Sequence, residues 1–443
     1  MSEYGRKALF YILTLAFLIL GTGVVLFAQG WRMDLPSLRI SKVGGIYVRS
    51  YPEDAAIFLN GKQVQNESGF LSRGTLISDL FPKSYHLALT APGYDDWNET
   101  ATVDPSFVVN HQYAVMVPAT PADVATGTIV HFDATANGII SEATDGSISE
   151  NGEPIGAGKI LAVSPDAQSV VFQTANGGVM FGDLPAGTAT NVSELFLDKG
   201  FSVTSGTQIT FDPSTRDALF AANAKKIIWL DLAQNTGVTL DAATKGISLD
   251  GTMAVSPDTA VWAHSPAGSN ATSSLLIFYD LSSKTTASTT VALGSPAKEL
   301  SWITGNLLGI LSQNGAFFLY DTNQRTLQKI ADDVRVASAT RDGSRIATLE
   351  SHSMEIFTLN DPLGYYRFNL PDIADAQSAT WYRDGDHLFI SYPDHVALLD
   401  LEDAELTNFI TVARGTSPEY DQNSNMLYLM NPEGHLTKFS FPK

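Results

Sequence analysis

One sequence feature constrains the fold of this chain more than any other: a short apolar strand that ends in Asp-Leu, or a near equivalent, recurs from residue 160 to the C-terminus. The seven copies end at Asp183, Asp231, Asp280, Asp321, Asn360, Asp400 and Ser440, at intervals of 39 to 49 residues. Most are preceded by a tight turn and a second strand, as in "AVSPDAQSVVFQT" around Ser164. A period of about 40 residues with several short strands per repeat is typical of the blades of a β-propeller.

These units resemble the WD-like and TolB-like propeller repeats, whose "SPDG…IAF…IYVYDL" core they follow. We count seven repeats, which predict a seven-bladed propeller over residues 127–443. The strand "GTIVHF", Gly127 to Phe132, stands before the first repeat without a blade of its own, and the last repeat has no room for an outermost strand. We expect this early strand to close the ring, because closure removes the exposed edges of an open fan. A β-solenoid is the structural alternative.

Residues 8–28, "ALFYILTLAFLILGTGVVLFA", contain no charged side chain. At about 1.5 Å per residue a helix of this length spans roughly 30 Å, the thickness of a bilayer's hydrocarbon core. The segment therefore predicts a transmembrane helix that acts as a signal anchor. A cleaved signal peptide is the alternative, although its apolar region is shorter and ends in a small-x-small motif, whereas Leu26-Phe27-Ala28 has a bulky outer residue.

The charges that flank this helix do not decide its orientation. Arg6 and Lys7 precede it, and Arg32, Arg39 and Lys42 follow it, which is nearly a tie under the positive-inside rule. Partly because of the family resemblances, we predict a single-pass protein of the cell membrane with a cytoplasmic tail, residues 1–7, and the bulk of the chain outside the cytoplasm. The reverse orientation is the alternative.

A second β domain is predicted between the helix and the propeller. After a basic connector, residues 29–43, apolar and polar residues alternate over residues 44–118 with the period of β-strands. Asn60-Gly61 separates "AIFL" from "KQV" and favours a two-residue hairpin, because both positions accept positive φ. Trp97 alternates with polar neighbours and is predicted to face the core. A Pro/Ala/Thr-rich stretch, residues 119–126, is interpreted as a linker.

Residues 44–118 resemble the PEGA domain. The resemblance depends on the element Pro52-Glu53-Asp54-Ala55, the hairpin Asn60-Gly61-Lys62, the strand positions Leu80 and Tyr85, and the closing turn Gly93-Tyr94. It implies a small antiparallel β-sandwich of the kind used for interactions at the cell surface or envelope. The whole chain is thus predicted to be all-β apart from its N-terminal helix.

Composition excludes several classes of function. The chain has 27 Lys and Arg against 47 Asp and Glu, so its net charge of −20 repels the phosphate backbone of nucleic acids. With no cysteine, it has no disulfide, thiolate metal site or cysteine nucleophile. No nucleic-acid partner is therefore expected.

Few motifs suggest chemistry. Asp421, Asn423 and Asn425 imitate the start of a calcium loop, but Met426 replaces the required glycine, so a structural turn is favoured. The eight histidines, His387 and His395 among them, lack metal-ligand spacing. We predict no catalytic residue, no cofactor and no metal ligand.

The sequence favours a non-enzymatic, membrane-anchored binding or scaffold protein that recognises a protein, a peptide or a cell-envelope glycan. The alternative is a propeller-based extracellular hydrolase or lyase that acts on an envelope polymer. That alternative requires carboxylates or histidines from different blades to converge.

Overall fold

The computed structural model describes residues 3–34, 39–68, 73–125, 127–135, 138–244, 247–266, 272–359, 365–401 and 409–442. The chain divides into two compact units, residues 1–120 together with 441–443, and residues 121–440. Apart from helix α1 in the first unit and two short helices in the second, the regular secondary structure of the described residues is β-strand. The predicted all-β class with one long N-terminal helix is confirmed.

The first unit begins with helix α1, Glu3–Ala28. Its segment Leu9–Ala28 has a mean hydropathy of 2.5 and none of it is buried, which suits either a membrane span or a signal sequence. The helix ends before Gly30, whose φ of 81° provides the left-handed conformation common after a helix C-terminus. The predicted connector is a β-hairpin for part of its length, with strands β1, Trp31–Asp34, and β2, Arg39–Lys42.

Seven strands form the small domain of the first unit in two sheets. They are β3 Gly44–Tyr51, β4 Ala56–Leu59, β5 Lys62–Val64, β6 Thr75–Leu80, β7 Lys83–Thr90, β8 Trp97–Val103 and β9 Val108–Val115. One sheet has the order β6-β3-β9 and the other has the order β5-β4-β7-β8. Their inner faces bury Ile46, Ile57, Leu87 and Trp97, as the alternation of apolar residues predicts.

Two details of this domain test the sequence analysis. The hairpin at Asn60-Gly61 is confirmed, since both residues have positive φ and Leu59 pairs with Lys62. The prediction of a purely antiparallel domain is wrong, because β3 and β9 pair in parallel, with Ile46 opposite Val109. Alternation shows which face of a strand is buried but carries no information about the direction of its neighbour.

The second unit contains eight four-stranded antiparallel sheets among the described residues, and we number them as blades 1–8. Blade 1 comprises β11 Ile129–Ala134, β12 Ile139–Ala143, β13 Ser147–Glu150 and β14 Glu153–Ala157. Blade 2 comprises β15 Lys159–Val163, β16 Ser169–Gln173, β17 Val179–Asp183 and β18 Thr188–Asn191, and is followed by helix α2, Ser193–Asp198. Blade 3 comprises β19 Gln208–Phe211, β20 Ala218–Ala222, β21 Lys226–Asp231 and β22 Thr236–Ala242.

The middle blades follow the same plan. Blade 4 comprises β23 Ile247–Val255, β24 Thr259–Pro266, β25 Ser274–Asp280 and β26 Thr286–Val291. Blade 5 comprises β27 Ala297–Thr304, β28 Leu307–Ser312, β29 Phe317–Asp321 and β30 Thr326–Ala331. Blade 6 comprises β31 Val334–Ala339, β32 Arg345–Glu350, β33 Met354–Thr358 and β34 Tyr365–Phe368.

The last two blades lead back to the start of the unit. Blade 7 follows a short 3-10 helix, Ile373–Asp375, and comprises β35 Ser378–Trp381, β36 His387–Ser391, β37 His395–Asp400 and β38 Ile410–Arg414. Blade 8 comprises β39 Thr416–Asp421, β40 Met426–Met430 and β41 Leu436–Ser440, and its outermost strand is β10, Ala122–Ala125. Blade 8 is therefore assembled from the two ends of the unit.

The propeller is confirmed, but the predicted number of blades and the predicted closing strand are wrong. The strand "GTIVHF" belongs to a complete blade, residues 129–157, and closure is provided by β10, which lies within the predicted linker, residues 119–126. Blade 1 was missed because its outer strands, "SISE" and "EPIGA", lack the apolar Asp-terminated pattern of the other repeats.

Apolar contacts join every blade to the next. The pairs that share a buried cluster around the ring are Ile148 and Phe172, Val171 and Leu219, Phe220 and Trp262, Leu276 and Leu308, Phe317 and Ile346, Ile356 and Trp381, and Phe132 and Leu436. Blades 7 and 8 meet through the rings of Phe389 and Tyr420, whose centroids are 5.1 Å apart. These eight junctions close the ring.

The closing junction predicts a measurable stability effect. Leu436 is fully buried in the cluster between blades 8 and 1, so Leu436→Ala leaves a cavity there. We expect the free energy of unfolding to fall by about 2–5 kcal/mol. Leu197→Ala, at a position that is 64% exposed, is the matched control and should change it by less than about 0.5 kcal/mol. Urea denaturation of the full chain in detergent micelles measures both, and equal effects would contradict the importance of this junction.

Candidate functional site

The turns between the first and second strands of blades 6, 7 and 8 line one cavity of about 590 Å³. The first strands of neighbouring blades contact one another, as β31 and β35 do, so they lie nearest the axis of the ring. The cavity contains three arginines, Arg341, Arg345 and Arg383, together with Gln422 of blade 8. We call it the arginine pocket.

The turns that form this pocket have one geometry. In blade 6 the amide of Gly343 donates to the carbonyl oxygen of Thr340 (2.9 Å), and in blade 7 the amide of Gly385 donates to that of Tyr382 (3.1 Å). Both glycines have positive φ, 67° and 75°, which closes the turn tightly. The second residue of each turn, Arg341 or Arg383, is exposed.

The carboxylates of the pocket already have partners. Hydrogen bonds from the Ser344 amide, the Thr340 hydroxyl and the Ser344 hydroxyl lower the pKa of Asp342 to about 2. Asp386 accepts a hydrogen bond from Arg345 Nη1 (2.5 Å), and the same nitrogen lies 2.7 Å from the carbonyl oxygen of Gly385. These acids stabilise the turns and leave little capacity to bind a cation.

Two of the arginines, in contrast, have no carboxylate partner among the residues that the structure describes. Arg341 Nη1 donates to Asn423 Oδ1 of blade 8 (2.9 Å), which is a neutral amide oxygen. Arg383 forms no ion pair within the described ranges. A guanidinium presents planar, parallel N–H donors that match a carboxylate or phosphate, so the pocket is suited to an anionic group.

A buried histidine supports the floor of the pocket. His387 is only 1% exposed, its Nδ1 lies 2.8 Å from Asp384 Oδ2, and its Nε2 lies 3.6 Å from Asp400 Oδ2. Burial by itself lowers the pKa of His387, but the hydrogen bonds to the two carboxylates outweigh it and raise the pKa to about 10. The imidazolium therefore neutralises buried negative charge below the Asp384-Gly385 turn.

A second cavity has different electrostatics from the arginine pocket. A groove of about 600 Å³ lies between blades 5 and 6, and its charged groups are paired: Arg367 contacts Glu355, and Ser353 donates to Glu350 (2.8 Å). Burial and the nearby Glu355 carboxylate raise the pKa of Glu350, although the Ser353 hydrogen bond opposes the shift. This groove thus offers fewer unpaired donors than the arginine pocket.

Ionisable groups from different blades also meet at the closing junction. Glu419 of blade 8 accepts a hydrogen bond from the amide of Ala134 in blade 1 (2.6 Å), near the pair of His131 and Asp133, whose side chains are 3.2 Å apart. Burial raises the pKa of Glu419 to about 7, with a further contribution from Asp133. Within the described residues, no group of three or more His, Cys, Asp or Glu side chains has the arrangement of a metal site.

The residues considered from sequence lie outside the arginine pocket or serve its turns. Asp421 accepts hydrogen bonds from the Asn423 and Ser424 amides, so the calcium-like stretch is a hairpin turn. His395 is paired with Asp394, 2.8 Å away. Trp97, predicted to be a core residue, is 2% exposed in the first unit.

The arginine pocket was not predicted from the sequence, although the repeats contain a signal for it. The equivalent turn position is Pro165 in blade 2 and Pro257 in blade 4, where proline favours the turn. Blades 6 and 7 have Arg341 and Arg383 there, and blade 8 has Gln422. The turn itself does not require arginine, so the arginines at this position in adjacent repeats are the sequence signal that distinguishes these blades.

The buried histidine predicts a pH-dependent stability. Because the pKa of His387 is raised above its value in the unfolded chain, about 6.5, its contribution is complete below that pH and is lost as pH rises toward 10. His387→Gln should lower the free energy of unfolding at pH 6 by about 3–5 kcal/mol. The difference between the two proteins should shrink by about 1.4 kcal/mol per pH unit above pH 7. Denaturation of both at pH 6, 8 and 10 measures this, and a pH-independent difference would contradict a charged histidine.

Comparison with known proteins finds one matching family and several similar solved structures. Residues 43–116 match the PEGA domain family. An oligogalacturonate lyase in complex with manganese is similar to this chain at 11% identity and a TM-score of 0.45, over 72% of this chain and 99% of the lyase chain. The β-propeller domain of Myceliophteria thermophila Cps50 (Swd1) is similar at 14% identity and a TM-score of 0.40, over 64% and 97%.

No curated protein matches the chain. The second unit is a β-propeller because its eight sheets close into a ring. The small domain of the first unit is a PEGA domain because it matches that family and has two packed β-sheets. The protein therefore contains a PEGA domain at residues 43–116, preceded by an apolar helix and followed by a β-propeller.

Proposed function

We propose that this protein is a non-enzymatic binding or scaffold protein, anchored in the cell membrane by α1, with its PEGA domain and propeller outside the cytoplasm. It recognises a protein, a peptide or a cell-envelope glycan, and the chemical group that it recognises is a carboxylate. The observation that carries the proposal is the placement of Arg341 and Arg383, two guanidinium groups without a carboxylate partner in the described ranges, at equivalent turns of adjacent blades.

The distribution of charge supports a specific anion site. The chain has a net charge of −20, so a negatively charged polymer is repelled by most of its surface. Six of its 13 arginines nevertheless lie within residues 334–414, a segment that contains no lysine. Arginine suits bidentate recognition of carboxylates better than lysine does. An anionic ligand is thus favoured at this pocket and disfavoured elsewhere.

The structure of the pocket suits recognition more than catalysis. Its acids are held by turn hydrogen bonds and by Arg345, and a pKa of about 2 leaves Asp342 ionised, so it is a poor general acid near neutral pH. Glu419, with a pKa raised to about 7 by burial, favours the alternative, a propeller-based hydrolase or lyase. In that alternative Glu419 donates the proton to a leaving group.

The proposal predicts that two arginines control binding. The double substitution Arg341→Gln with Arg383→Gln should weaken binding of a polyuronate or of polyglutamate by about 10–100-fold, because two charge-assisted hydrogen bonds are lost. Both side chains are exposed, so the fold should be retained. Arg325→Gln, another exposed arginine on blade 5, is the matched control and should bind as the unchanged protein does. Calorimetry with the full chain in nanodiscs measures the affinities, with neutral dextran as the uncharged polymer.

The outcomes separate the candidate functions. Tighter binding of polyuronate than of polyglutamate would identify the ligand as a glycan. Tighter binding of polyglutamate would identify it as an acidic peptide or protein. If the double variant and the unchanged protein bind the polymer with equal affinity, the arginine pocket is not the binding site. If the polyuronate is shortened during the assay, and Glu419→Gln abolishes the shortening, the protein is a hydrolase or lyase and the binding-only proposal is wrong.

The proposed location has its own test. Because the chain has no cysteine, Val238→Cys introduces a single thiol on β22 of the propeller, at a position that is 53% exposed. We expect it to react with a membrane-impermeant maleimide in intact cells, and the labelled chain to remain with the membranes after a carbonate wash. Labelling only after lysis would establish the inverted orientation, and release by the wash would indicate a cleaved signal peptide.

A further inference from the structure

The hairpin that follows α1 has one apolar face. Trp31 pairs with Lys42 and Met33 pairs with Ile40, and directly opposite residues of an antiparallel pair point to the same side. Met33 is 55% exposed and Ile40 is 60% exposed. The Lys42 ammonium lies 5.7 Å from the centroid of the Trp31 ring, so a cation borders the apolar residues. We call these four residues the hairpin face.

On the opposite side of the same hairpin, Arg32 is held by protein contacts. Arg32 Nη2 lies 2.8 Å from Asp79 Oδ1 on β6 of the PEGA domain. Arg32 Nη1 lies 2.7 Å from the carbonyl oxygen of Phe27, and its guanidinium stacks on the Phe27 ring at 3.7 Å. These contacts fix the hairpin against the end of the helix and against β6 of the PEGA domain. They leave the hairpin face turned outward.

The hairpin also starts where an anchored helix must leave the bilayer. The segment Leu9–Ala28 is 20 residues long, which matches the roughly 30 Å of a hydrocarbon core. Trp31 follows three residues after Ala28, so the chain can carry it at most about 10 Å from the helix end. The headgroup layer on each side of a bilayer is about 5–8 Å thick. The hairpin therefore begins within or next to this layer.

We infer that the hairpin face is a lipid-binding surface that inserts Met33 and Ile40 into the headgroup region of the membrane. Tryptophan is favoured at this depth because its ring is apolar and its N–H is polar, and the Lys42 ammonium next to it suits a lipid phosphate. The inference rests on the proposed anchoring of α1. Its consequence is that the membrane holds the PEGA domain by two contacts, the helix and the hairpin, which restrict its tilt.

Site-directed fluorescence tests this surface without background, because the chain has no cysteine. Ile40→Cys is labelled with a small environment-sensitive dye, and the full chain is placed in nanodiscs of phosphatidylcholine and phosphatidylglycerol. Arg39→Cys, the neighbouring exposed position on the other face, is the matched control. Phe17→Cys, within the helix and 74% exposed, reports the anchor itself. Spin-labelled lipids with the quencher near the headgroup or deep in the acyl chain give the depth of each dye.

We expect the shallow quencher to reduce the fluorescence at position 40 at least two-fold more than at position 39, and the deep quencher to act at position 17. Equal, weak quenching at positions 39 and 40 with strong quenching at 17 would overturn the hairpin surface and leave the anchor intact. Weak quenching at all three positions would overturn both the lipid-binding surface and the proposed anchoring.

Discussion

The propeller depends on one pairing between distant parts of the chain, that of β10 with β41. Ala122 lies opposite Lys438 and Asp123 opposite Thr437, so the start of the unit supplies the outermost strand of its last blade. Without β10, β41 would expose a row of unpaired backbone N–H and C=O groups. Closure also buries Phe132 and Leu436 together. Every other junction between blades forms from segments that are adjacent in sequence.

The arginine pocket is a consequence of this closed ring. Arg341 of blade 6 contacts Asn423 of blade 8, and Gln422 of blade 8 donates to the carbonyl oxygen of Trp381 in blade 7. Such contacts require three blades to hold fixed angles about a common axis. The buried pair of His387 and Asp384 fixes the middle turn from below. The turn that carries the exposed Arg383 is thereby held in place by a buried ion pair in which His387 neutralises Asp384.

The sequence-derived fold is correct where repeated patterns determine structure locally. The apolar strands that end at Asp183, Asp321 and Asp400 are the third strands of their blades, and Asn60-Gly61 forms its hairpin. Prediction failed where a segment lacks the pattern. The outer strands of blade 1, Ser147–Glu150 and Glu153–Ala157, lack the apolar Asp-terminated pattern, and the closing strand β10 consists of four residues in a Pro/Ala/Thr-rich stretch that has no strand signal of its own.

The sequence by itself determined the apolar helix, the PEGA domain and the propeller class, because strand periodicity and turn residues act over a few neighbours. Only the tertiary structure decided the number of blades, the closing strand, the parallel pairing of β3 with β9, and the meeting of Arg341 and Arg383 in one cavity. These features depend on pairing between residues far apart in the chain. Burial and hydrogen bonding select such pairs from the whole molecule, and alternation within a strand does not encode its partner.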